Sequence, residues 1–125
     1  MKKIIATDQA PAAIGTYSQA VVYNGVVYVS GQIGLDPVTG DFVAADFRKQ
    51  ARRAFMNLQA IIDAAGTSFT HILKLNVSVI NMADFACFNE VMAEFFSEPY
   101  PARACVAVRE LPKSALVEIE AIVGM

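Results

Sequence analysis

The sequence has little charge, few cysteines and one histidine, and each shortage argues against a class of protein. Charged residues make up 18% of the 125 residues, and ten basic against twelve acidic side chains leave a net charge of −2. Domains that coat nucleic acid are usually clearly basic, so a nucleic-acid partner is disfavoured. Cys87 and Cys105 are too few for a disulfide scaffold, and with His71 they form no zinc motif. We interpret His71 as structural and expect neither a metal nor a cofactor.

Long hydrophobic runs are also missing. No apolar stretch approaches the roughly 18 residues that a membrane-spanning helix needs. The apolar run at residues 4–6 is too short for the core of a signal peptide. No repeat, low-complexity tract or Ser/Gly linker divides the chain. We therefore expect a soluble, cytoplasmic protein with a single domain over residues 1–125 and no membrane partner.

A hairpin is the clearest local element. Residues 20–23 and 26–30 are rich in Val and Tyr, and they flank Asn24-Gly25. Asn-Gly accepts positive φ at both central positions, as a type I′ turn requires. Alternating apolar and polar residues, or runs of β-formers, predict three more strands, over 73–79, 103–108 and 115–123.

Two segments carry apolar residues at helical spacing. The first runs from residue 47 to 65, with Asp46 placed to cap its start and Gly66 where a left-handed residue ends a helix. The second spans about 84–96. The resulting order, ββ(β)αβαββ, predicts an α+β fold with a mixed sheet and both helices packed on one face. Because the other face also carries apolar residues, we expect another copy of the chain to cover it.

The candidate catalytic residues lie on the last two predicted strands. Glu118 and Glu120 are two residues apart, so their side chains share a face. That face is either partly solvated at a sheet edge or presents a carboxylate that holds or activates water in a subunit cleft. Arg103 is either in a surface ion pair with one of these glutamates or a planar fork for a substrate carboxylate.

Three other residues carry weaker signals. Cys105 shares strand parity with Arg103, but a lone cysteine is more often a small buried hydrophobe than a nucleophile. Gly31 follows the hairpin directly, so it is either a turn residue or a point at which a ligand approaches the backbone. Tyr17 is ambiguous on its own.

Four of the ten basic residues fall at the start of the first helix, as two like-charge pairs four residues apart. We favour a solvated face for this cluster. Ion pairs to acidic residues elsewhere and a contact to RNA or another anion are the alternatives. The cluster comprises Arg48, Lys49, Arg52 and Arg53.

Four segments carry distinctive motifs, namely 14–20 (IGTYSQA), 30–33 (SGQI), 101–106 (PARACV) and 117–121 (VEIEA). Taken together, they resemble the Rid group, also called the YjgF family, and in particular its RidA-like enamine/imine deaminase branch. The similarity covers nearly the whole chain, with the motifs in the family's order and spacing. Thr16 stands where the family usually has proline, which affects the rigidity of the loop carrying Tyr17, and Ala104 stands where it often has serine.

The resemblance implies a chorismate-mutase-like fold and a homotrimer with sites in the clefts between subunits. It implies hydrolysis of reactive enamines and imines, namely 2-aminoacrylate, 2-iminopropanoate and 2-iminobutanoate, to 2-keto acids and ammonia. It implies that neither a cofactor nor a metal is required. A module that senses keto acids without turnover, and an endoribonuclease-like translation inhibitor, are the alternative functions.

The resemblance also implies residue roles. Arg103 would clamp the substrate carboxylate, and Glu118 would position the attacking water. Gly31 and Cys105 would act largely through backbone groups. The residues expected to line the cleft are Tyr17, Ser30, Gly31, Asn89 and Cys105.

Overall fold

The computed structural model describes residues 1–125, which form six strands and two helices. Only the first strand was not predicted, because three residues are too few to show an alternating pattern. The last strand begins two residues later than expected, because a 3₁₀ turn at Pro112–Ser114 precedes it. The elements are β1 (Lys3–Ile5), β2 (Ala20–Tyr23), β3 (Val26–Gln32), α1 (Phe47–Ala64), β4 (Ile72–Val79), α2 (Phe85–Phe95), β5 (Ala102–Ala107) and β6 (Val117–Gly124).

The predicted α+β class and mixed sheet are confirmed. All six strands form one sheet in the order β1-β2-β3-β6-β4-β5. Every neighbouring pair is antiparallel except β4 and β5, which run parallel with α2 as the crossover between them. The sheet therefore places β6 near its centre and β5 at one edge.

Local turn and cap chemistry accounts for the element boundaries. Asn24 and Gly25 have φ values of 50° and 76°, the left-handed conformation that the hairpin turn requires. The Asp46 carboxylate accepts a hydrogen bond of 2.9 Å from the backbone N–H of Lys49 and caps α1. Gly66 follows this helix with φ of 86°.

The two faces of the sheet differ sharply. On the helix-bearing face, side chains from β3, β4 and β6 pack with α1 around Phe55 and Leu58, which are fully buried. The opposite face, called here the open face, keeps large apolar side chains about half exposed, at 52, 49, 46 and 53%. These are Ile4, Tyr23, Tyr28 and Val106.

The basic cluster of α1 is only in part the solvated face that we favoured, because two of its four residues form ion pairs. Arg48 donates a 2.6 Å hydrogen bond to Glu90, and Arg52 binds Glu94 through two bonds of 2.9 and 2.8 Å. These pairs raise the pKa of both arginines, and Arg52 lowers the pKa of Glu94. The ion-pair alternative is therefore confirmed for Arg48 and Arg52 but not for Lys49 and Arg53, and such exposed pairs contribute little to stability. Each partner lies 42 residues away in sequence, beyond the reach of a local pattern.

Candidate active site

A β-bulge shapes the backbone beside the paired carboxylates. The register between β3 and β6 shifts so that Ser30 and Gly31 together stand opposite Glu120. Such bulges bend a strand and redirect side chains, and they are common beside active sites. Gly31 thus lies within β3, and the interpretation of it as a simple turn residue is wrong.

The Glu118 carboxylate packs directly on Gly31. A Cβ atom at this glycine would lie 2.7 Å from Cδ and 2.8 Å from Oε2 of Glu118. Both distances are far inside van der Waals contact, so any side chain at Gly31 displaces the carboxylate. We expected that a ligand would approach the backbone closely at Gly31. In the structure, the side chain of Glu118 makes this close approach.

Glu118 has no hydrogen-bond or ion-pair partner within the chain. It is half-buried, and this burial raises the pKa of its carboxyl group, with a smaller contribution from the negative charge of Glu120. Glu120 is more exposed and accepts a 3.2 Å hydrogen bond from Asn76. A carboxyl group with a raised pKa and free oxygens is suited to take up and return a proton.

Ser30 holds the loop that presents Tyr17. Its hydroxyl donates a 2.6 Å hydrogen bond to the carbonyl of Ser18, and its N–H donates to the carbonyl of Gln19 at 2.9 Å. The buried Gln19 side chain in turn accepts from the N–H of Thr7 at 2.7 Å. The Ser30 hydroxyl is therefore engaged by the backbone, while Tyr17 stays about half exposed (52%).

These residues line one cavity of about 540 Å³, called here the Glu118 cavity. Besides polar groups it has an apolar wall that includes Ile14 and Ile33. Of the residues expected at the site, it contains Tyr17, Ser30, Gly31 and Glu118.

Arg103 lies on the other side of the sheet. In the parallel β4–β5 pair it stands in register with Leu75, which faces the helices. Its side chain accordingly reaches α2, where Nη1 donates a 2.6 Å hydrogen bond to Oδ1 of Asn89. The interpretation of Arg103 as an ion-pair partner of Glu118 or Glu120 is wrong, because the sheet separates them.

A second cavity of about 440 Å³, called here the Arg103 cavity, lies beside this side chain. Cys105 follows two residues later on the same strand and is partly buried against the core. Burial raises the pKa of its thiol, and the opposing effect of Arg103 is smaller. The protonated thiol is a poor nucleophile, which favours the interpretation of Cys105 as a small hydrophobe. The cavity is lined by Asn89, Met92, Ala93, Tyr100, Pro101 and Arg103.

The expected site residues thus form two half-sites on opposite faces of one sheet. The first contains Glu118, and the second contains Arg103 with Asn89. His71 belongs to neither, since it is exposed and contacts Ser68 through Nδ1 at 3.1 Å. No group of three or more His, Cys, Asp or Glu side chains is placed to hold a metal ion. No helix combines the length and hydropathy needed to cross a bilayer.

Two buried amides of α1 were missed in the sequence. Gln50 accepts a 3.0 Å hydrogen bond from the N–H of Leu116, just before β6, and donates to the carbonyl of Ala44 at 2.9 Å. Asn57 donates to the carbonyl of Leu35 at 2.9 Å. Asn57 thereby anchors the backbone at Leu35, which lines the Glu118 cavity, and Gln50 anchors the backbone just before β6. The sequence does carry a signal for them. Gln50 and Asn57 are seven residues apart, which is two helical turns, so they interrupt the otherwise apolar inner face of α1.

Comparison with known proteins agrees with this architecture. The family model described as Endoribonuclease L-PSP matches residues 7–125. A 2-iminobutanoate/2-iminopropanoate deaminase from Dermatophagoides farinae is 48% identical over 122 residues, which cover 98% of this chain and 95% of the relative. The deaminase of the same name from Bos taurus is 44% identical, with 98% and 89% covered.

Solved structures show the same fold. RidA from the Antarctic bacterium Psychrobacter sp. has a TM-score of 0.95 and 50% identity, covering 98% of this chain and 99% of that one. TdcF of E. coli, solved with bound serine, has a TM-score of 0.94 and 46% identity, with 98% of each chain covered. The chorismate-mutase-like fold expected from the resemblance is confirmed. With the family model spanning nearly the whole chain and these relatives near half identity, the chain belongs to the Rid family.

Proposed function

We propose that the protein hydrolyses 2-imino acids and their enamine tautomers, such as 2-aminoacrylate, to 2-keto acids and ammonia. The observation that carries this proposal is the pairing of chemistries in the two half-sites. One holds a guanidinium with a free hydrogen-bonding edge, and the other holds a carboxyl group with a raised pKa and no partner. The names of the relatives from Dermatophagoides farinae and Bos taurus support the same reaction.

The free edge of Arg103 fits a carboxylate. Nη1 is engaged by Asn89, while Nε and Nη2 have no acceptor within the chain. The Nε and Nη2 hydrogens point in parallel and can bind both oxygens of a carboxylate, a geometry that lysine lacks. A substrate held in this way has its C2 carbon fixed relative to the protein, and such orientation supplies much of the rate acceleration in many enzymes.

In the proposed reaction Glu118 moves protons. Protonation of the enamine carbon gives an iminium ion, whose C2 is electrophilic enough to accept water without a covalent nucleophile. Glu118 takes a proton from the attacking water as the C–O bond forms. The proton then passes to the nitrogen, and the C–N bond breaks as the hydroxyl group gives up its proton, which releases ammonia and leaves the keto acid. The proton lost from the hydroxyl group balances the one that the enamine carbon took up. Tyr17 lines the same cavity as Glu118.

We also propose that the working site lies between subunits of a homotrimer. Arg103 and Glu118 face opposite sides of the sheet, so one copy of the chain does not present both to the same substrate. A second copy packed on the open face would cover its half-exposed apolar side chains and could bring its own Arg103 to the Glu118 cavity. In this proposal residues 1–125 act as one domain, and residence in the cytoplasm stays a prediction.

The test couples the protein to a serine or threonine dehydratase, which generates the enamine in solution. We expect the purified protein to accelerate the release of ammonia and keto acid above the spontaneous rate. Binding of 2-oxobutanoate with no acceleration would contradict turnover and select the keto-acid-sensing alternative. A panel of dehydratase substrates then defines the preferred side chain.

RNA cleavage is a second candidate, because the matching family model is described as an endoribonuclease. The net charge of −2 and the pairing of Arg48 and Arg52 with acidic side chains leave little basic surface for RNA. Nuclease activity that disappears in both Arg103→Lys and Glu118→Gln would assign it to the same site. Activity that survives both changes belongs to another surface or to a contaminant.

A further inference from the structure

Three side chains of α2 converge on the Arg103 guanidinium. Asn89 accepts from Nη1 at 2.6 Å, and the sulfur of Met92 lies 3.5 Å from the same nitrogen. The guanidinium carbon lies over the ring of Phe85, 5.2 Å from its centre. Positions 85, 89 and 92 follow the i, i+4, i+7 spacing that places side chains on one face of a helix.

These contacts act on one end of the guanidinium. Nη1 donates to two protein acceptors, Asn89 and Met92, while Nε and Nη2 remain free. An unsupported arginine on an exposed edge strand samples many rotamers, and fixing it on binding costs free energy for each side chain immobilised. A ring beneath the cation adds attraction without occupying any of its hydrogen-bond donors.

We propose that Phe85, Asn89 and Met92 form a cradle that positions Arg103, so that its Nε–Nη2 edge is held outward for the substrate carboxylate. Phe85 and Met92 are positioning residues that act through Arg103. Asn89, which the resemblance places at the cleft, acts here first on Arg103. This inference rests on the proposed function of Arg103 as a carboxylate clamp.

The variants distinguish the effect of the aromatic ring of Phe85 from the effect of its size. Phe85→Leu keeps an apolar side chain and removes the aromatic face, while Phe85→Tyr keeps the face. Phe95→Leu is the matched control, because Phe95 lies on the same helix but packs on Phe55, with ring centres 5.0 Å apart. Asn89→Ala is a second test at an exposed position, where it removes the 2.6 Å hydrogen bond without opening the core.

The readouts are binding of 2-oxobutanoate, as a stable keto acid with the same carboxylate, and turnover of the enamine. We expect Phe85→Leu to weaken 2-oxobutanoate binding by about threefold to tenfold, with a matching rise in KM and a smaller change in kcat. Phe85→Tyr should restore binding, and Phe95→Leu should bind as the unmodified protein does. In the Arg103→Lys background, Phe85→Leu should cause little further loss, because its effect passes through the guanidinium.

A spectroscopic signal tests the cradle independently of turnover. The Arg103 Nε–H resonance, assigned by its disappearance in Arg103→Lys, should shift when Phe85 becomes Leu, because the ring current is removed. It should stay in place in Phe95→Leu. An unmoved resonance, equal binding by Phe85→Leu and Phe95→Leu, or additive losses in the double variant would each overturn the inference. Should the unmodified protein fail to accelerate hydrolysis while the resonance and binding behave as expected, the proposed turnover fails and the cradle stands.

Discussion

The two half-sites differ in how the protein holds their charged side chains. Arg103 lies on the exposed edge strand β5 and is held by three contacts from one helix, so its charge is fixed in direction. Glu118 lies on β6, inside the sheet, half-buried and without a partner, so its proton affinity is raised. If Arg103 binds the substrate and Glu118 exchanges protons, as proposed, the comparison teaches that a binding group benefits from neighbours that restrain it, whereas a group that must exchange protons benefits from having none.

The largest expected effect comes from Glu118→Gln, which keeps the shape of the side chain and removes its basicity. If Glu118 moves protons during hydrolysis, kcat should fall by about 10² to 10⁴-fold. Glu120→Gln is the matched control on the same face of β6, and it should cost much less. Steady-state rates of ammonia release measure both. A larger loss in Glu120→Gln, in a protein that remains folded, would reverse the assignment.

Arg103→Lys tests the other half-site. Lysine keeps the positive charge but loses the parallel pair of donors, so we expect a loss of roughly 10-fold or more in kcat/KM, mainly through KM. Cys105→Ala, two residues along the same strand, should retain substantial activity, since its protonated thiol takes no part in the proposed reaction. Complete loss of activity in Cys105→Ala would instead favour the interpretation of Cys105 as a nucleophile.

Substitutions at Gly31 and Gly34 separate effects on the candidate site from effects on the stability of the fold. In Gly31→Ala the new Cβ meets the Glu118 carboxylate, so activity should fall by about 10-fold while the melting temperature changes little. In Gly34→Ala the new Cβ lies 2.7 Å from the Cα atom of Gln50 in α1, so the free energy of unfolding should fall by about 1–3 kcal/mol. Thermal melting and steady-state kinetics on both variants separate the effects, and a Gly31→Ala protein with full activity would contradict the contact.

The smallest expected effect is on how the stability of the folded protein depends on pH. Because the folded protein raises the pKa of Glu118, folding favours its protonated form. That contribution is present below the unfolded pKa and is lost as pH rises through the folded one. Glu118→Gln should therefore melt at a higher temperature than the unmodified protein at pH 7, with the difference vanishing below pH 4.5, the ordinary value for the group. Lower stability of Glu118→Gln at pH 7 would show that ionised Glu118 is stabilised instead.

Much of this fold follows from local chemistry, which is why the sequence predicts it. The Asn24-Gly25 turn, the Asp46 cap and the Gly66 terminus each depend on residues a few positions apart. The family's motifs identify the candidate residues. The pairing of Glu118 with Gly31, in contrast, depends on the register of β3 against β6.

For a related reason, the sequence does not predict on which side of the sheet Arg103 lies. It depends on the parallel pairing of β5 with β4 and on the position of α2, neither of which leaves a local pattern. The same holds for the ion pairs of Arg48 and Arg52, whose partners stand 42 residues away. Long-range geometry therefore decides which half-site each residue joins.

The central claim is that a complete site needs Arg103 from one copy of the chain and Glu118 from another. Mixing the two impaired variants, Arg103→Lys and Glu118→Gln, and refolding them together tests it directly. If the copies assort at random in equal amounts, about one quarter of the interfaces receive both native side chains, so about one quarter of the normal activity should return. Activity no greater than the sum of the two separate variants, in mixed oligomers shown to have exchanged subunits, would contradict the account.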